Sequence, residues 1–271
     1  MVDAVPVTDE TEDAAAAIDG TEDPWVLHLV ARVERPPVGP PPVADVLTAA
    51  GRAVVTLLHD VRAQPEGSWA EAMTAWEGLS IRKVARRARG AAWQRVVAGS
   101  DVVVVRCGGA EVAALPPTRR SETPAHIDPL QVGGLDLGPA PSVRDLELRR
   151  VATSRNGVAT PDRLVAVLAP VAMSTGKAMA QVGHGAQLAD RLLQLPDGVG
   201  AWAAAGWPMD VATATPAEWP ALRRSALVEV HDAGHTEVDP GTVTVVMLDA
   251  AAIAAVLAHA RASDARPFTA G

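Results

Sequence analysis

The sequence has little cysteine, few aromatic residues and almost no lysine. Its single cysteine, Cys107, excludes an internal disulfide, and one phenylalanine with no tyrosine argues against a surface that stacks many bases. No uncharged apolar run reaches the length of about eighteen residues that a membrane-spanning helix needs. The first residues also lack the basic and then apolar stretches of a signal peptide. Together these absences predict a cytoplasmic protein without a membrane span.

Lysine accounts for two of the 24 basic residues, Lys83 and Lys177, and all the others are arginine. Abundant alanine, valine, proline and arginine suggest a coding bias that disfavours lysine throughout the chain. A lysine that persists at the start of a motif, as Lys177 does, therefore suggests a need for an ammonium group.

The net charge of −8 is concentrated at the start of the chain. Residues 1–24 contain eight acidic and no basic residues, whereas the rest contains 24 of each sign. The first segment therefore predicts a disordered acidic tail. The remaining chain is neutral overall, so its charge does not exclude a polyanionic partner.

Hydrophobic periodicity predicts strands interleaved with helices, which indicates an α/β fold. We expect a small mixed β-sheet flanked by helices, three-layered and Rossmann-like, together with an additional α/β N-terminal half. The predicted units are an N-terminal domain at 25–115, a Pro/Gly-rich linker at 116–161, a second domain at 162–262 and a tail at 263–271. Predicted strands cover 25–34, 101–106, 110–115, 164–168, 209–214, 227–230 and 242–248. Predicted helices cover 43–61, 69–97, 176–193, 199–207, 216–225 and 250–262.

The first half follows a strand–helix–helix–strand order that loosely matches the second half. We therefore hypothesise that it is a degenerate copy that packs against the second half as an intrachain pseudo-dimer. A homodimer is the alternative.

A Gly-Lys pair, Gly176-Lys177, begins the predicted helix of the second half. A nucleotide phosphate loop requires an earlier glycine and a following hydroxyl, but Val171 and Ala178 occupy those positions. A helix N-terminus still attracts anions, and Ser174 or Thr175 can cap it. An NTP-binding protein therefore remains only a third hypothesis.

Three polar side chains, Lys177, Gln181 and His184, share one face of this helix because they stand at i, i+4 and i+7. The spacing alone fits either a binding surface or a solvated polar face. Choosing between a binding surface and a solvated face requires the sequence patterns beyond these three residues.

The pattern Met173-x-x-Gly176-Lys177-x-x-x-Gln181-x-x-His184 resembles the signature of the archaeal and eukaryotic type II peptidyl-tRNA hydrolases. Two further patterns follow in the order that this family has: Asp232-Ala233-Gly234-x-Thr236 and Pro240-Gly241-Thr242-x-Thr244. The resemblance spans residues 164–248. It implies hydrolysis of the ester between peptide and tRNA, with no organic cofactor.

The resemblance also implies roles for individual residues. Lys177 would contact a phosphate or the developing oxyanion, Asp232 would hold or deprotonate the water, and His184 would assist. Hydroxyls of Thr236 and Thr244 would orient these groups, and Gly176 and Gln181 would contact the substrate. Without the second motif, Asp232 is better explained as a turn carboxylate. For His184, a role as a hydrogen-bonded structural histidine is as good an explanation as a catalytic one.

A basic run in the first half predicts a surface for tRNA phosphates. Its members are Arg82, Lys83, Arg86, Arg87, Arg89 and Arg95. On the predicted helix 82, 86 and 89 share a face, as do 83 and 87. These five residues are predicted to contact tRNA phosphates. A solvated helical face paired with acids is the alternative.

No metal site and no serine nucleophile are predicted. His231, Asp232 and His235 lie close in sequence but lack the companion ligands of a known metal motif, and no Gly-x-Ser-x-Gly elbow occurs. The family residues before Met173 usually include charges, whereas 168–172 are uncharged here. An inactive relative that binds tRNA or a translation partner is therefore the second functional hypothesis.

Overall fold

A computed structural model describes residues 23–35, 37–78, 81–147, 163–193, 201–234 and 237–264. Within these ranges the chain forms two mixed β-sheets with helices between and outside them. The predicted α/β class is confirmed.

The first half builds a sheet from strands Trp25–Arg32 (β1), Lys83–Ala88 (β2), Val103–Cys107 (β3), Ala110–Arg119 (β4) and Gln131–Val132 (β5). Its helices are Val43–Leu58 (α1), Ala70–Glu77 (α2) and Gly90–Val97 (α3). The strand order is β3-β4-β1-β2-β5. Strand β1 runs parallel to β2 and antiparallel to β4, and β3 is antiparallel to β4.

The second half builds a sheet from Leu164–Leu168 (β6), Met209–Thr213 (β7), Val228–His231 (β8) and Val243–Asp249 (β9). Its helices are Thr175–Leu193 (α4), Ala201–Ala204 (α5), Trp219–Arg224 (α6) and Ala250–Asp264 (α7). The strand order is β7-β6-β9-β8, with β6 parallel to β7 and antiparallel to β9. Strand β6 is apolar at every position because both faces of the sheet are covered.

The two halves have the same topology. Each runs strand, helix, short helix, strand, helix and then an antiparallel strand pair. The order β3-β4-β1-β2 of the first sheet matches β8-β9-β6-β7 of the second, and each strand pair has the same relative direction. By position in this order, α1 corresponds to α4 and β2 corresponds to β7.

Helices α1 and α4 pack against each other between the two sheets. Apolar side chains from both helices and both sheets form one continuous core. Two smaller clusters lie on the outer faces of the sheets, one under α3 and one under α6 and α7. The halves therefore share a core rather than folding around separate ones.

The crossing of α1 and α4 is close because each helix has a glycine as its ninth residue. A Cβ added to Gly51 would lie 2.9 Å from the sulfur of Met209, and one added to Gly183 would lie 3.0 Å from Val54 Cγ2. Any larger residue would push these neighbours away. The two glycines occupy corresponding positions in the two halves.

The helix predicted for 69–97 is wrong in its centre, where Lys83–Ala88 form strand β2 between β1 and β5. Alanine and arginine favour helices locally, but pairing with β1, more than fifty residues earlier in the chain, overrides that preference. The basic residues of β2, Lys83, Arg86 and Arg87, therefore lie on both faces of a sheet instead of on faces of a helix.

Three of the six residues of the basic run, Lys83, Arg86 and Arg87, have partners within the protein. Arg86 donates from Nη1 to the carbonyls of Asp128 and Leu130, both at 2.9 Å. Arg87 donates to Gln131 Oε1 on β5. Lys83 is buried, whereas Arg89, the residue before α3, is exposed.

We expect Arg86→Met to lower the free energy of unfolding by about 1–3 kcal/mol, because two carbonyls lose a charged donor. The measurement is urea denaturation followed by circular dichroism. Arg89→Met removes a comparable charge from an exposed position and serves as the matched control. Equal midpoints for the two variants would contradict the assignment of Arg86 to this structural role.

The segment interpreted as a linker contributes to the first sheet. Residues 116–119 lie in β4, β5 pairs with β2, and residues 143–147 are helical. Residues 148–162 lie outside the described ranges, as do residues 1–22 of the predicted acidic tail. In the part of the chain that the structure describes, no helix combines the length and apolarity needed to cross a bilayer.

Candidate functional site

The site lies where the first turns of α4 meet the loop between β8 and β9. Lys177 and Gln181 both reach the carboxylate of Asp232: Lys177 Nζ forms an ion pair with Oδ2, and Gln181 Nε2 donates to the same oxygen at 2.7 Å. The side chains of Lys177 and Asp232 are only 11% and 4% exposed. The predicted helix stripe and the predicted turn motif therefore meet in one buried cluster.

Thr244 on β9 fixes the orientation of Gln181. Its hydroxyl donates to Gln181 Oε1 at 2.6 Å, so the amide oxygen accepts there and the amide nitrogen donates to Asp232. Thr244 is fully buried, and Gln181 is 4% exposed. The chain Thr244–Gln181–Asp232–Lys177 is thus one hydrogen-bonded series.

The Asp-Ala-Gly turn sets the position of the carboxylate. Asp232 Oδ1 accepts from the Gly234 amide at 2.7 Å, and the Asp232 carbonyl accepts from the Gly241 amide at 2.7 Å. Gly234 has φ +78°, and a Cβ there would lie 2.3 Å from the Pro240 ring. The glycine is therefore required both by its backbone conformation and by the approach of Pro240.

Both oxygens of Asp232 already accept hydrogen bonds, one on Oδ1 and two on Oδ2. A carboxylate in this state holds its donors in place. The geometry thus favours Asp232 as the group that orients Lys177 and Gln181 over a base that removes a proton from water.

His184 lies one helical turn beyond Gln181, and Lys83 of the first half reaches it. Lys83 Nζ is 3.3 Å from His184 Nδ1 and donates to Gln187 Oε1 at 2.7 Å. Burial, followed by the positive charges of Lys83 and Lys177, lowers the pKa of His184 well below its ordinary value of 6.5. The imidazole is therefore neutral at pH 7.

The N-terminus of α4 is capped by its own chain. The Lys177 amide donates to Ser174 Oγ at 3.1 Å, which makes Ser174 the capping residue. Glu237 accepts from both the amide and the hydroxyl of Ser174, at 2.6 and 2.7 Å. A carboxylate thus occupies the anion-attracting terminus, and Gly176 beside it faces Ala85 of β2.

Other predicted residues lie elsewhere. Thr236 falls outside the described residues, so its predicted role is not tested. Arg86 and Arg87 bind the loop and strand around β5, while Lys83 enters the site as a buried group beside His184. In the described ranges, no group of three or more His, Cys, Asp or Glu side chains could hold a metal ion.

Sequence patterns did not identify Glu237 or the partnership between Lys83 and His184. Glu237 follows the Asp-Ala-Gly motif closely, and that proximity was the only signal for it. Lys83 is separated from His184 by about a hundred residues, so only the packing of the two halves brings them together.

Comparisons of the chain with protein-family models, with curated proteins and with solved structures found no match.

Proposed function

We propose that this protein hydrolyses the ester bond between peptide and tRNA in peptidyl-tRNA, releasing free tRNA. One observation carries the proposal: residues from the separate motifs that resemble the family converge in a single cluster. Lys177 and Gln181 come from the first motif, Asp232 from the second and Thr244 from the third. Their convergence in one buried hydrogen-bonded series supports a common task for the three motifs.

The chemistry of the cluster suits ester hydrolysis. Attack of water on the ester carbonyl develops negative charge on its oxygen, and an ammonium held in a partly buried site stabilises that charge strongly. Lys177 supplies this ammonium, and Asp232 and Gln181 fix its position. Arg89 is the candidate for a contact with a tRNA phosphate, because it is exposed, whereas Lys83, Arg86 and Arg87 donate to groups inside the protein.

A tRNA-binding relative without catalysis is the second candidate. Lys177 and Asp232 pair with each other, and both oxygens of Asp232 are occupied. That arrangement is also what a purely structural ion pair would have. An NTP-binding function has less support, because Glu237 occupies the terminus where a phosphate would sit.

The deciding experiment incubates the purified full chain with N-acetylaminoacyl-tRNA labelled in its amino acid. We expect release of the labelled N-acetylamino acid well above the spontaneous rate measured in buffer. Filter binding with uncharged tRNA runs in parallel. Binding without cleavage would favour the second candidate, and neither binding nor cleavage would contradict both.

A further inference from the structure

The two lysines of this arginine-rich chain act on the same imidazole. Lys83 belongs to β2 of the first half and Lys177 to α4 of the second. Both ammonium groups contribute to lowering the pKa of His184. Each half therefore contributes its one lysine to the surroundings of a single histidine.

The ammonium of Lys83 is deeply buried, since the residue is 8% exposed. Its Nζ donates to Gln187 Oε1 at 2.7 Å and to the Ile81 carbonyl at 3.3 Å, and it lies 4.8 Å from the centre of the Trp76 ring. Together with His184 Nδ1, these contacts form a specific binding place for the charge.

The contact with Lys83 determines the tautomer of His184. An ammonium has hydrogens but no lone pair, so Lys83 donates and Nδ1 of His184 accepts. A neutral imidazole whose Nδ1 accepts carries its proton on Nε2. Neither ring nitrogen then has a lone pair ready to take a proton, which excludes His184 as a general base in this state.

The corresponding position in the other half is apolar. Lys83 is the first residue of β2 and touches Gly183 of α4, whereas Met209 is the first residue of β7 and touches Gly51 of α1. Methionine fills this place at the helix crossing without burying a charge, and a buried ammonium costs several kcal/mol in desolvation. Packing alone therefore does not explain the lysine.

We propose that Lys83 is a positioning residue through which the first half completes the site of the second half, by holding His184 as a neutral Nε2–H donor. This inference rests on the proposed esterase function, where such a donor would serve an oxygen of the reacting ester. It also gives the first half, which shares the topology of the second, a chemical task.

Among the residues that the structure describes, the charged groups near His184 come from β2, from α4 and from the end of α2. Lys83 approaches from β2 and Lys177 from α4 itself, where Lys177 is paired with Asp232. Glu77 at the end of α2 accepts from Gln187 and from Arg191. Toward α4, α1 and β9 present apolar side chains, Val54 against Gly183 and Met247 against Gly185.

The test is nitrogen-15 NMR of histidine-labelled protein, in which the His184 signals are assigned by their loss in His184→Asn. In the unsubstituted protein we expect one tautomer, Nε2–H, and a pKa of His184 well below its ordinary value of 6.5. In Lys83→Met we expect signals from both tautomers and a higher pKa of His184, still below 6.5 because desolvation and the charge of Lys177 continue to lower it. Lys83→Arg is expected to retain the Nε2–H tautomer.

Kinetics give the second readout. We expect Lys83→Met to lower kcat roughly tenfold with little change in KM, and Lys83→Arg to recover part of the loss. Thermal unfolding of each variant checks that it is folded. An unchanged His184 tautomer in Lys83→Met would overturn the inference even if the enzyme is active. The tautomer also remains measurable if no ester is cleaved, so failure of the proposed function is distinguishable.

Discussion

Replacing Lys177 by methionine is expected to lower kcat for cleavage of N-acetylaminoacyl-tRNA by roughly 10²–10³-fold, with a smaller effect on KM. The reason is that the ammonium acts on charge that exists only in the transition state, whereas ground-state binding of tRNA relies on phosphate contacts elsewhere. The measurement is initial rates with labelled substrate at 25 °C, where circular dichroism shows the variant to be folded.

The same variant also affects stability, because the buried Asp232 carboxylate loses its ionic partner. We expect Lys177→Met and Asp232→Asn each to cost about 3 kcal/mol. Asparagine keeps an acceptor for the Gly234 amide but presents a donor to Lys177. The double variant is expected to cost less than the sum by about 2–3 kcal/mol, which is the coupling of the pair.

The double variant separates catalysis from folding. Its stability should recover in part, but its kcat should remain as low as that of Lys177→Met, since no ammonium is present. A kcat within tenfold of the unsubstituted value in Lys177→Met would refute the catalytic role of this lysine. A coupling energy near zero would show that the ion pair does not act as a unit.

Much of the site could be predicted from local sequence. Lys177 and Gln181 are one helical turn apart, so a helix at this position places both on the same face. The turn at Asp232 was also predictable, because in an Asp-x-Gly turn the aspartate side chain accepts a hydrogen bond from the backbone amide two residues later, here that of Gly234. These features depend only on residues a few positions apart, so the spacing of residue types in the sequence is enough to predict them.

The features that were predicted wrongly depend on partners that are distant in the sequence. Strand β2 contains residues that favour a helix, and its identity is decided by β1, which lies far away in the sequence. The sequence predicts that Lys83 contacts a tRNA phosphate, but the packing of α4 on β2 buries it beside His184. Hydrophobic periodicity reports only on neighbours in the sequence, so it cannot predict a contact between Lys83 and a residue about a hundred positions away.

From the sequence, the common topology of the two halves could be predicted only from their similar order of strands and helices. Corresponding helix positions hold unlike residues, such as Asp45 in α1 where α4 has Lys177. The first half also joins β3 to β4 through the short turn Gly108-Gly109, whereas residues 232–242 join β8 to β9. The loop that carries Asp232 therefore has no counterpart, which leaves one site for two similar halves.

Replacing Gly183 by valine is expected to lower the free energy of unfolding by about 2–3 kcal/mol, because a branched side chain at the helix crossing overpacks a close contact. A Cβ there lies 3.0 Å from Val54 Cγ2 and 3.2 Å from Lys83 Cδ. The new side chain should therefore also displace the stem of Lys83. The measurements are urea denaturation and the His184 tautomer.

Gly51→Val is the matched control, since it overpacks the same crossing from the other helix. The three atoms nearest to its Cβ belong to Met209 and Val182, whereas the atoms nearest to the Cβ at Gly183 include Lys83 Cδ. We expect a similar loss of stability but an unchanged His184 tautomer, whereas Gly183→Val should change both. If Gly183→Val were as stable as the unsubstituted protein, the close crossing of α1 and α4 would be refuted. If both variants changed the tautomer equally, the disturbance would not pass through Lys83, because Lys83 is among the nearest neighbours of Gly183 and not of Gly51.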